Sequence, residues 1–209
     1  MRQDKFIDIK QTNIFPTLIW QFNHTYEFDD ELPKMLRVVE ERSTSMNVLG
    51  TLGKEKNNLD KHPYFRLLAK TFYNVCETAC NTLRYEGEVE ITEMWANRLI
   101  PGKHDYHEPH VHGNSIFSGV FYLKSNESAG IRFVDPRPQS KILQPRVSEY
   151  NEHTTMNLSI NSTPGTGVLF PSWLQHYVPR TDEERISVSF NAIIRGKYGQ
   201  KGSLAELKI

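Results

Sequence analysis

The sequence predicts a mainly β fold, an antiparallel sandwich or jelly-roll barrel with two N-terminal helices covering one sheet from outside. Three observations lead there. From residue 87 the chain breaks into seven or eight short β-rich segments, separated by Gly, Pro, Asn or Asp clusters and by no helical spacer, which argues against a βαβ sheet. Ahead of them lie two stretches whose apolar residues recur at helical spacing. The composition, 38% hydrophobic and 24% charged over 209 residues, suits a globular chain long enough to enclose one core. No repeat or low-complexity tract divides it, so residues 1–209 read as one domain: 1–86 as strand and helical support, 87–196 as the β core, 197–209 as a tail.

Each element carries its own signal. "IFPTLIWQF", residues 14–22, is aromatic and β-branched and reads as a strand. "DDELPKMLRVVEERS", residues 29–43, opens on capping aspartates, holds Pro33 in its first turn and sets Leu32, Met35, Leu36 and Val39 on one face. Residues 47–60, rich in Gly and Asn, read as a loop. Asp60 then caps a long helix with Pro63 near its start, because Phe65, Leu68, Ala69, Phe72, Cys76, Ala79, Cys80 and Leu83 follow one stripe. The cysteines, four apart on that stripe, read as buried thiols rather than a metal pair. The predicted strands are 88–99, 115–123, 129–134, 154–160, 166–170, 174–179 and 185–194.

Charge narrows the partners. Lys plus Arg number 25 and Asp plus Glu 25, a net charge of zero, so no nucleic-acid partner is expected. The N-terminus lacks the apolar run of a signal peptide, and nothing approaches the ~20 apolar residues of a membrane span. A cytoplasmic protein follows, with a homodimer left open.

Chemistry concentrates in two places. "HEPHVHGNS", residues 107–115, contains His110-x-His112, and in extended chain those two imidazoles share a face and can grip one cation. Far downstream, "GVLFPSWLQHYVP" sets His176 among apolar residues. Either alone reads more readily as hydrogen-bonded structure; together in a β domain they suggest one metal site. "RISVSFN" alternates Arg185, Ser187, Ser189 and Asn191 with apolar residues. In an open strand that polar row faces water, whereas in a small barrel it lines a cavity, where Arg185 and Ser187 make an anion receptor.

These stretches, with "SGVFYL" and "GIRFVDPRP" in the same order, resemble the 2-oxoglutarate and Fe(II)-dependent oxygenases of marine bacteria and their phages, within the prolyl 4-hydroxylase-like superfamily. The resemblance covers about residues 90–195 and implies a double-stranded β-helix. It implies Fe(II), 2-oxoglutarate and dioxygen as cofactor and cosubstrates, with His110, His112 and His176 on the metal and Arg185 and Ser187 on the cosubstrate's distal carboxylate. Tyr122 and Asn97 join them as cosubstrate contacts. Trp95, His107 and Arg137 stand as substrate contacts, although His104 and His107 otherwise read as loop residues. Oxidative decarboxylation to succinate would drive hydroxylation of an unidentified peptidyl, prolyl or small-molecule substrate; if phage-encoded, the protein acts in the host cytoplasm.

The superfamily pattern places Asp or Glu where this chain has His112. Three solutions stay open: a three-histidine site, a carboxylate from Glu108 or Asp135 swinging in, or a two-histidine site completed by water or chloride. A cupin-type metal enzyme or binding protein that does not use 2-oxoglutarate is the alternative, and it leaves Arg185 and Ser187 unexplained. Residues 135–154, between strands, read as a variable wall or lid.

Overall fold

The computed structural model describes residues 10–24, 28–43, 58–103, 106–126, 129–137, 139 and 142–209. Strand β1 is Trp20–Asn23 and helix α1 is Phe28–Ser43. Helix α2, Arg66–Leu83, is followed by β2 (Glu88–Leu99), β3 (His107–His110), β4 (Phe117–Lys124) and β5 (Ile131–Val134). The chain continues through β6 (Asn157–Ile160), β7 (Thr166–Pro171), β8 (His176–Val178), β9 (Arg185–Arg195), β10 (Lys197–Tyr198) and β11 (Leu207–Lys208). A five-stranded antiparallel sheet runs β1-β7-β4-β9-β2, and a four-stranded one runs β3-β8-β5-β6. Strands that follow one another in sequence alternate between the two sheets from β2 to β5 and from β6 to β9. That winding is the double-stranded β-helix.

Three expected elements differ. The N-terminal strand covers only Trp20–Asn23, because Phe15 turns at φ 55 and Pro16 brings no N–H. Asp60 does not cap α2: it lies within a 3-10 turn, Leu59–Lys61, and a second such turn, Pro63–Phe65, precedes the helix. Pro63 is the reason, since it starts a new turn while His62 Nδ1 accepts from the Tyr64 amide. Pro33 lies beyond the first turn, inside α1. Most of the expected 47–60 loop lies outside the described residues. The tail is ordered into the β10–β11 pair, with reciprocal bonds between Gly196 and Ile209.

Two cores sit on either side of the large sheet. On its outer face Met35, Val38 and Val39 of α1 and Leu68, Phe72, Cys76 and Ala79 of α2 pack on Ile186, Val188, Phe190 and Ala192 of β9. Phe72 stacks on Phe190, ring centroids 4.1 Å apart. Between the sheets, Val120, Tyr122, Ile131, Phe133, Val168, Phe170 and Leu174 form the second core. The apolar row of β9 thus faces the helices and its polar row the interior. Cys76 and Cys80 are free and buried, and burial raises both thiols' pKa. No helix among the described residues is long and apolar enough to cross a membrane.

Candidate metal centre and anion receptor

Irregularities in two strands aim the polar side chains. A register shift in β2 between Ile91 and Glu93 leaves Thr92 as the extra residue. Val89 and Ile91 before it, and Met94 and Ala96 after it, all pack toward the helices, while Glu93, Trp95 and Asn97 fall on the inner face. A second shift, between His107 and His110, surrounds Pro109 on the edge strand β3. His107 pairs with Val178 and His110 with His176, so residues three apart are brought to one side. Their rings lie 6.3 Å apart.

His110, His112 and His176 converge: their candidate ligand atoms all lie within 4.8 Å of one another. His112 follows the edge strand and is tethered by its backbone N–H to the Ser172 carbonyl at 3.0 Å, just ahead of His176. Each ring is then oriented from behind. The Nδ1 of His110 meets the Glu108 carbonyl at 2.6 Å, that of His176 the Leu174 carbonyl at 2.9 Å, and that of His112 the Asn191 Oδ1 at 2.8 Å. Oxygens of this kind only accept, so all three Nδ1 atoms carry the proton and all three Nε2 lone pairs are free for a metal. Burial holds His176 at a pKa of about 3 and lowers that of His112, which favours the neutral, ligating form.

The inner-facing row of β9 also carries a receptor for an anion. Arg185 is buried, with its Nε and Nη1 unpartnered, and the Ser187 hydroxyl is also buried and unpartnered. Burial pulls the guanidinium pKa down. Glu184, next in sequence, does not neutralise Arg185, because Lys124 and Arg98 hold it on the opposite side. Asn97 and Tyr122 flank Ser187 on the neighbouring strands, in register with it. The guanidinium carbon lies 5.1 Å from the Tyr122 ring centroid. Orphaned buried donors are costly to keep. These are the complement of a carboxylate, and three neutral imidazoles suit Fe(II), so the residues present fit a metal ion and a 2-oxo acid.

Residues 93–191 match the model of a family described as "Putative 2OG-Fe(II) oxygenase". The matched residues run from β2 to β9 and take in most of the β-rich half of the chain. The oxygenase fold is also that of solved structures at low identity. A Pseudomonas putida prolyl-4-hydroxylase aligns with TM-score 0.59 at 14% identity, covering 86% of this chain and 89% of that one. The viral collagen prolyl hydroxylase of Paramecium bursaria Chlorella virus-1 gives 0.51 at 13%, covering 90% and 98%. The non-heme alpha ketoglutarate dependent carbocyclase SnoK gives 0.61 at 11%, covering 86% and 81%. No curated protein matches the sequence. The protein is an enzyme of the 2OG-Fe(II) oxygenase type, whose cofactors are Fe(II), 2-oxoglutarate and dioxygen.

The remaining expected residues of the oxygenase divide into two groups. Trp95 lines the inner face and stacks against His112, ring centroids 5.9 Å apart. His107 is not a loop residue: it starts β3, and burial first, then the Arg185 charge, brings its pKa to about 3. His104 lies outside the described residues. Arg137 is exposed and pairs with Asp135 through Nε and Nη2, at 2.9 and 3.0 Å. That pairing engages Asp135, and neither Asp135 nor Glu108 is part of the convergent set; Glu108 contributes only its backbone carbonyl. Sequence reasoning set Asn191 on the polar row without giving it a role and missed Glu93 and Ser118; Glu93 faces Asn191 only because of the β2 bulge. Residues of the 135–154 stretch do form a wall: Asp135, Arg137, Glu152 and His153 border a cavity of about 450 Å³, whose floor includes Phe133 and Leu174 beside His176.

Proposed function

We propose that this oxygenase is a hydroxylase that couples oxidative decarboxylation of 2-oxoglutarate to succinate with hydroxylation of a C–H bond, using a three-histidine iron site. The carrying observation is the alignment in one interior of three Nε2-presenting histidines with the orphaned Arg185 and Ser187 donors. Bound iron with 2-oxoglutarate and dioxygen supplies the oxidising power. The chain supplies everything else. His110, His112 and His176 hold the metal as neutral ligands; Arg185 and Ser187 anchor the distal carboxylate, with Tyr122 and Asn97 fixing its approach. Val120, Phe170 and Phe133 keep the reacting region dry.

The 450 Å³ cavity is the proposed site for the primary substrate, since Phe133, Leu174, Ile19, Met156 and Leu158 make its surface largely apolar and Arg137 is already matched by Asp135. A neutral, mostly apolar substrate portion suits it, with His107 and Trp95 nearer the metal. The two similar prolyl hydroxylases agree with a peptidyl residue without requiring one.

The test is an anaerobic Fe(II) titration, then 2-oxoglutarate binding, then succinate formation on admitting air. Wild type binds both and forms succinate even without primary substrate. Failure to bind 2-oxoglutarate in the Fe(II)-loaded protein ends this reading.

A further inference from the structure

We infer that Glu93 is a positioning residue which, acting through Asn191, locks His112 in the tautomer that presents Nε2 to the metal; the inference rests on the three-histidine reading. Glu93, Asn191 and Ser118 lie in one row across β2, β9 and β4. Asn191 Oδ1 accepts from Ser118 Oγ at 2.8 Å and from His112 Nδ1 at 2.8 Å, while its Nδ2 donates to Glu93 Oε2 at 3.2 Å. Ser118 continues to Ser172 Oγ, also at 2.8 Å.

An amide can turn over, and its two orientations ask opposite things of His112. With Oδ1 toward the ring, Nδ1 carries the proton and Nε2 is free. With Nδ2 toward the ring, Nδ1 must accept, the proton moves to Nε2 and the metal-facing lone pair is gone. Ser118 and Ser172 do not choose between them, because a hydroxyl rotates to donate or accept. A carboxylate only accepts. Glu93 therefore admits one orientation of Asn191, and through it one tautomer of His112.

The β2 bulge makes this contact available. Without the extra Thr92, residues Val89 and Ile91 would share the inner face with Glu93, and the strand could not feed the helix-side core at both ends. Thr92 Oγ1 donates to the Asn191 carbonyl at 3.3 Å, tying the bulge to the residue it serves. Glu93 itself is exposed and touches neither metal nor cosubstrate. Its effect passes through Asn191, which is buried.

The experiment compares wild type, Glu93→Gln and Glu93→Gln/Asn191→Asp. In the metal-free proteins, 15N NMR of the histidine side chains reads the His112 tautomer; anaerobic titration reads Fe(II) affinity. Gln is isosteric but can donate or accept, so Glu93→Gln populates both His112 tautomers and weakens Fe(II) about tenfold, the lower range for a residue behind a metal ligand. Asp at 191 accepts only, so the double variant restores the Nδ1–H form and the affinity. An unchanged tautomer in Glu93→Gln overturns the inference, as does a loss of affinity that Asn191→Asp leaves in place, which would mark a merely structural role. His112→Ala separates this from the parent reading. If Fe(II) affinity survives it, the three-histidine site fails, whereas the tautomer shift in metal-free protein still reports on Glu93.

Discussion

Arg185 lies over the Tyr122 ring at 5.1 Å, yet two nitrogens of its buried guanidinium meet no acceptor among the described residues. The chain holds a cation inside, and on the proposed reading the 2-oxoglutarate carboxylate supplies its counter-charge. Stability is given up in the free protein and regained on binding. Arg185→Met is accordingly expected to raise the Tm of the free protein or leave it unchanged, and to abolish the Tm increase that 2-oxoglutarate gives wild type. Two charge-assisted hydrogen bonds at about 1.5–3 kcal/mol each set the loss of 2-oxoglutarate affinity at roughly a hundredfold or more. Differential scanning fluorimetry and isothermal titration measure both.

The three proposed metal ligands differ in how they are held, and truncation separates them. His176→Ala and His110→Ala remove ligands from the paired strands β8 and β3 and should lower Mn(II) or Fe(II) affinity below detection in an anaerobic titration. His112→Asp restores the superfamily's carboxylate at a position already tethered to Ser172, and is expected to keep metal binding. Loss of metal in His112→Asp, with the fold intact by circular dichroism, argues that the imidazole's reach is required.

Acid should destabilise the metal-free protein through its histidines. Burial holds His107 and His176 at about 3 when folded, against an ordinary 6.5, so between those values the unfolded chain binds more protons. Their contribution is complete above about pH 6.5 and is lost progressively as the pH falls toward 3. Urea midpoints of metal-free protein measured from pH 7.5 to pH 4 should decline, and His107→Phe should flatten the decline. An equal slope in the variant counts against buried histidines as the cause.

Gly119, in the "SGVFYL" stretch, tests the packing beneath the site. A Cβ there would come 2.3 Å from Phe190 Cε1 and 3.0 Å from the Val168 carbonyl oxygen. Phe190 is pinned by Phe72, so it cannot give way freely. Gly119→Ala should cost about 1–3 kcal/mol in chemical denaturation, with metal affinity little changed. The glycine serves close approach of strand and ring.

How much was legible beforehand varies with what each feature depends on. Strand β2 was readable to its ends because local propensity and turn residues mark it, and the α2 stripe was readable because one 3.6-residue period runs from Phe65 to Leu83. The start of α2 was not, since Asp60 and Pro63 carry the same signals whether they open the helix or the 3-10 turns before it. His107 reads as loop because "PGKHDYHEP" is rich in turn residues, and its place in β3 depends on an edge position whose register shift accommodates Pro109.

The sequence by itself determined the chemistry: which residues are imidazole, guanidinium and hydroxyl, and the alternation that sends the β9 polar row to one face. Tertiary structure decided their orientation and company. In the proposed site His112 offers Nε2 only if Asn191 turns its Oδ1 toward the ring, and the partner of the Asn191 Nδ2 is Glu93, 98 residues away, across a bulge that inverts the strand's parity. Alternation propagates along one strand and is therefore written locally. Parity shifts, amide orientation and ring tautomers are set by partners from other strands, so they become definite only when the sheets close.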